Sequence, residues 1–250
     1  MPTELEQVAA EAATCTRCRL HQGRTQVVFG DGDPDADLMF VGEAPGFHED
    51  KQGKPFVGPS GQLLNRLLAG IGLRREDVYI CNVIKSRPPG NRDPQPDEIA
   101  ACRGWLDAQV RLVDPKVVVT LGNFAARTLL ETTTGISRLR GHTYPFQGRV
   151  LLPTFHPAAA LHATSSRVGP SPLQGMEDDF QVLAKLLAES RPAPAAGPGA
   201  GPPGTAGQGP EPRPSTPGAR VPASLAAQHA RPRRRYLAGA LEDAEQLGLF

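Results

Sequence analysis

Short, almost unbroken apolar runs recur along the first two thirds of the chain: Leu38-Met39-Phe40-Val41, Val78-Tyr79-Ile80, Val117-Val118-Val119 and Val150-Leu151-Leu152. Runs this short predict buried strands, over residues 37–42, 78–83, 116–122 and 148–154. The third is so uniformly apolar that both of its faces must be covered. Between the strands the period lengthens to that of a helix. Leu63, Leu64, Leu67, Leu68 and Ile71 make one apolar face over residues 61–73. Pro94 and Pro96 open a helix over residues 96–113, and Asp97 and Glu98 favour its first turn. Asn123 caps a helix over 124–130, and a last one covers 175–190. A helix also precedes the first cysteine pair. Strands alternating with helices predict an α/β fold, a three-layer α/β/α arrangement around a four-stranded parallel sheet.

Composition divides the chain. From residue 191 to about 222 more than half of the positions are Pro or Gly. Such a stretch cannot bury enough apolar surface to offset its ordering entropy. The expected organisation is a globular domain over 1–190, a Pro/Gly/Ala-rich disordered linker over 191–230, and a basic segment with a terminal peptide over 231–250. The net charge of +1 gives nucleic-acid binding no support from the total, so such binding needs a local basic face. No apolar run is long enough to span a bilayer, and the acidic N-terminus lacks a signal-peptide pattern. A cytoplasmic protein is expected, in which four cysteines point to a metal or cluster before disulfides.

The chemistry-bearing residues follow the strands. Gly42-Glu43-Ala44-Pro45-Gly46-Phe47-His48-Glu49-Asp50 follows the first, Cys81-Asn82-Val83 ends the second, and Phe155-His156-Pro157 follows the fourth. In parallel sheets ligands sit beyond these carboxyl ends. Read alone, Glu43 is a solvated loop acid, His156 a turn histidine and Phe56 a core residue. Together with Gly53-Lys54-Pro55-Phe56-Val57-Gly58 and Arg87-Pro88-Pro89-Gly90-Asn91-Arg92, in this order and spacing, the motifs resemble those of the family 4 uracil-DNA glycosylases from about Cys15 to about Leu187.

The resemblance implies a monofunctional DNA repair enzyme that flips uracil out of DNA and hydrolyses its N-glycosidic bond. Glu43, Ala44, Phe56, Asn82 and His156 would line the uracil pocket. Glu43 would orient or activate water, and a neutral His156 would stabilise the departing base. Asn82 can pair with N3–H and O4 of uracil at once, a polarity that cytosine reverses. Phe56 would stack on the extruded base. Glu49 either lies near the base edge, helps position water, or forms a salt bridge with Lys51 or Lys54. Lys85, Arg87, Arg92, Arg138 and Arg140 are candidate phosphate partners, and Leu161 a candidate wedge into the duplex. The alternative on the same fold is a noncatalytic or covalent uracil-DNA binder, or a clamp-associated scaffold.

The resemblance also implies a [4Fe–4S] cluster on four cysteines. Cys15 and Cys18 form one Cys-x-x-Cys pair and Cys102 is a third ligand, but the family's remaining cysteine is Ser86 here. Cys81 is its candidate substitute, facing away from the uracil side if Asn82 faces toward it. Otherwise Cys81 is a buried apolar cysteine; zinc is a further occupant of the same thiolates. The terminal Gln246-Leu247-Gly248-Leu249-Phe250 resembles the peptide that docks on the bacterial sliding clamp. The chain is expected to act as a monomer.

Overall fold

The computed structural model describes residues 1–163 and 171–190. The linker and the clamp-like peptide expected after residue 190 lie outside them. The chain opens with α1 (Glu4–Ala13), which Thr3 and Glu6 start through a reciprocal capping box. Strand β1 (Gly30–Gly32) leads to β2 (Leu38–Gly42), then α2 (Phe47–Gln52), α3 (Pro59–Gly70) and β3 (Tyr79–Asn82). Next come α4 (Pro96–Val113), β4 (Val117–Leu121), α5 (Asn123–Leu130), α6 (Ile136–Leu139), β5 (Tyr144–Phe146) and β6 (Arg149–Thr154). Helices α7 (Pro157–Leu161) and α8 (Pro172–Ser190) follow.

The sheet runs β1-β3-β2-β4-β6-β5. Its four central strands are parallel, as expected, but the sheet is mixed: β1 and β5 add antiparallel edges. Each edge strand has only three residues, too few for an alternating pattern to show in sequence.

Alternation along the central strands divides the core into two layers. Met39, Val41, Cys81, Val118 and Leu151 pack with Ala12 of α1, Trp105, Leu106 and Val110 of α4, and Leu129 of α5. Leu38, Phe40, Ile80, Val119 and Leu152 pack on the other side with Leu64 and Leu68 of α3 and Phe180 of α8. Because β2 is central, β3 extends the sheet on one side and β4 and β6 on the other. That reversal of direction opens a crevice at the carboxyl ends of the strands, where the conspicuous motifs emerge.

Candidate active site

A cleft of about 470 Å³ lies at these strand ends. Its walls include Glu43 and Ala44 after β2, Phe56, Asn82 at the end of β3, His156 after β6, and Glu49 in α2. The five residues expected to line a uracil pocket, and Glu49 with them, therefore line one cavity, of the size that engulfs a small ligand. Parallel pairing of Gly42 with Asn82 sets the first two segments side by side.

Asn82 is 1% exposed, and neither its Oδ1 nor its Nδ2 has a hydrogen-bond partner among the described residues. Buried carboxamides are nearly always paired, so a bare one on a cleft wall is suited to a ligand with complementary donor and acceptor. Close packing fixes it. A Cβ on Gly42 would strike Asn82 Oδ1 and lie 2.6 Å from two ring carbons of Phe56.

The Phe56 ring is 5.7 Å from the His156 ring, tilted by 36°. Its backbone is left-handed, with φ 51°, a conformation that costs a non-glycine residue about 1–3 kcal/mol unless the surroundings enforce it. Arg75 does so. Its guanidinium donates to the carbonyls of Pro55 and Phe56, and Asp31 on β1 holds it from behind at 3.3 Å. Sequence reasoning missed Arg75, since an arginine in a short charged turn reads as surface.

His156 caps α7. Its Nδ1 accepts the Ala158 N–H at 3.1 Å, which leaves the ring proton of the neutral imidazole on Nε2 as a donor. Burial pushes its pKa down to about 4, against a smaller opposing effect of Glu49, so the imidazole is neutral at physiological pH. Gly122 lets it approach: at φ 92° its Cβ would fall 2.9 Å from the His156 Cβ. Burial, with a smaller contribution from Asp93, raises the Glu43 carboxyl from 4.5 to about 7. A carboxylate poised near neutrality beside a neutral imidazole suits base and hydrogen-bond donor roles respectively.

Glu49 lines the cleft but its carboxylate is engaged with backbone. Oε1 accepts the N–H groups of Val57 and Gly58, both at 2.9 Å, and Oε2 that of Gly46 at 3.2 Å. It stitches the two wall-forming loops together. The alternative Lys54 salt bridge goes elsewhere, to Asp31 at 3.0 Å.

Several candidate phosphate partners are already committed. Lys85 is 2% exposed; its amine donates to the Asn82 carbonyl and to Gln109 Oε1. Gln109 in turn donates to the Phe29 carbonyl and the Tyr79 hydroxyl. Arg92 forks onto buried Glu98 at 2.9 and 2.6 Å, and Arg140 pairs with buried Asp179. Arg138 and Leu161 are exposed, the latter by 42%.

All four cysteines are free thiols. Cys102 lies within electrostatic reach of Cys18, Cys15 and Lys85, whereas Cys81 sits fully buried in the core, with Lys85 and Tyr79 as its electrostatic neighbours. Among the described residues no cluster of three or more His, Cys, Asp or Glu side chains is disposed to hold a metal ion. The expected set of Cys15, Cys18, Cys81 and Cys102 is thus not gathered. Cys81 does face away from Asn82, into the layer that also holds Cys102 and against which Cys15 and Cys18 pack. Cys15, Cys18 and Cys102 would be the thiolates nearest to holding a cluster, with Cys81 bordering the same layer.

No helix among the described residues is long and apolar enough to cross a membrane. A family model described as the uracil DNA glycosylase superfamily matches residues 29–181. The type-4 uracil-DNA glycosylase of Archaeoglobus fulgidus is 43% identical over 197 residues, covering 75% of this chain and 96% of that protein. That of Thermotoga maritima is 45% identical over 183 residues, 72% of this chain and 95% of the relative. A type-5 uracil-DNA glycosylase of Thermus thermophilus is 33% identical over 151 residues, 51% of this chain and 67% of the relative.

Proposed function

This chain belongs to the uracil DNA glycosylase superfamily, and from that membership we propose that it is a monofunctional repair glycosylase that releases free uracil from DNA and leaves an abasic site. The bare Asn82 carboxamide on the wall it shares with Glu43, Phe56 and His156 carries this reading. An extruded uracil would stack on Phe56. Asn82 Oδ1 would accept N3–H and its Nδ2 would donate to O4; cytosine would meet two mismatched polar pairs there.

Cleavage breaks the bond between C1′ and N1, and its electron pair departs with the base. The negative charge is shared onto the uracil oxygen, where the neutral His156 donates Nε2–H without giving up its proton. Water adds to C1′, and its proton passes to Glu43. The ionised carboxylate also favours the cationic sugar that precedes attack. His156 acts in the neutral state that burial imposes, whereas Glu43 acts as the carboxylate that burial disfavours and that is populated from about pH 7 upward. No step is routed through an iron–sulfur cluster.

Leu161, exposed after His156-Pro157, is suited to fill the gap left by the flipped nucleotide. The terminal Gln246-Leu247-Gly248-Leu249-Phe250 would tether the enzyme to a sliding clamp. The cytoplasm, and action as a monomer, complete the proposal.

The test is uracil release from an oligonucleotide bearing one deoxyuridine. Multiple-turnover strand breakage at that site only after alkali is expected. Breakage without alkali would show lyase chemistry instead, and a stable protein–DNA adduct would show trapping.

A further inference from the structure

Phe47 is 49% exposed, one of few large apolar side chains left open among the described residues. It begins α2 and stands on the wall of the cleft. Two cations lie over its ring: the Arg87 guanidinium 5.2 Å from the centroid and the Lys51 amine 5.9 Å from it. The His48 ring meets it edge-on at 5.5 Å. Arg87 is itself oriented, since its Nε donates to Asn91 Oδ1 at 2.6 Å. Its Nη groups have no hydrogen-bond or ion-pair partner among the described residues, and Lys51 forms no ion pair there. Phe47 shares the cleft with the base-pocket residues, whereas Arg87 and Lys51 do not line it.

A half-exposed aromatic ring with two uncommitted cations resting over it matches the chemistry of a nucleotide: the cations can turn to an anionic phosphate and leave the ring to a flat base. Resting on the glycosylase reading, we propose that Phe47 is a stacking shelf for the unpaired base adjoining the extruded uridine, with Arg87 and Lys51 taking the phosphate of that nucleotide. In a duplex the adjoining base stays stacked on its own neighbours and paired across the helix, so it cannot lie on the shelf. The shelf therefore favours single-stranded substrate.

The experiment compares wild type, Phe47→Ala and Phe47→Trp on three deoxyuridine substrates: a single strand, the same strand with abasic residues flanking the uridine, and a duplex. Phe47→Ala should lower kcat/KM on the intact single strand by about five- to a hundredfold, the range of one base–aromatic stack, and leave the duplex within about twofold. Phe47→Trp should retain the wild-type value. Wild type should lose a similar factor on the abasic-flanked strand, to which Phe47→Ala should be indifferent. An equal loss on all three substrates, or a wild type insensitive to the flanking abasic residues, overturns the shelf. If wild type releases no uracil from any substrate, the glycosylase reading fails. The shelf is then judged by fluorescence anisotropy on the same two single strands: a wild-type preference for the intact strand that Phe47→Ala abolishes upholds it, and no such preference overturns it.

Discussion

The Glu43→Gln substitution should abolish most uracil release and at the same time stabilise the protein at alkaline pH. The carboxyl is raised from 4.5 to about 7, first by burial and then by Asp93. Between these two values the folded chain keeps a proton that the unfolded chain has lost, so wild-type stability falls as pH rises through this window and levels off above it. At about 1.4 kcal/mol per pH unit the full span gives an upper bound of about 3 kcal/mol. Solvent at the open cleft screens the charge and reduces that to about 1–2 kcal/mol. The carboxamide of the Glu43→Gln variant has no proton to lose. The variant should match wild type near pH 4.5, then gain progressively to that difference by pH 8. Guanidinium midpoints across the pH series measure it, with uracil release assayed in parallel. A Glu43→Gln variant less stable than wild type at pH 8, or offset by the same amount at every pH, would refute the assignment of Glu43 as a carboxylate held against its own burial.

The same ionisation should govern catalysis. Below pH 7 kcat/KM should fall about tenfold per unit as Glu43 takes up its proton, and His156, protonated only near pH 4, should add no inflection above pH 5. Gly42→Ala should leave a folded protein, weakened by about 1–3 kcal/mol through overpacking, whose kcat/KM drops at least about a hundredfold because the new methyl displaces Phe56 and Asn82; thermal melting and uracil release separate the two effects. Arg75→Met should cost about 2–3 kcal/mol of stability and about tenfold in kcat/KM by freeing the left-handed Phe56, and Arg75→Lys should restore part of both.

The central strands are legible because four apolar runs, each buried on both faces, have few other ways to be hidden. The motif loops are legible because several short signals agree in order. What escapes has no local signature. The edge strands are too brief to show a period, and α2 and α7 are too short to show an apolar face. Glu49 reads as a base-edge or ion-paired acid, yet its partners are backbone N–H groups eight and nine residues away, a matter of tertiary approach. Lys85 reads as a phosphate contact because lysines are rarely fully buried; nothing in Ile84-Lys85-Ser86 announces a glutamine 24 residues on that receives its amine. Strand alternation places Cys81 on the correct face, but alternation says nothing of how far Cys15 and Cys18 lie from it.

The chain of polar contacts behind Asn82 changes what counts as a remote position. From the end of β3 it runs through the Lys85 amine to Gln109 in the middle of α4, and on to the phenol of Tyr79 and the carbonyl of Phe29. Evolution can drift in an ordinary helix interior so long as volume is kept. Here a volume-conserving change such as Gln109→Met would leave the buried Lys85 amine with the Asn82 carbonyl as its one acceptor among the described residues and slacken the strand end that carries Asn82. A survey of variants would then record, deep in α4, a loss of fidelity with the outward look of a loss of fold.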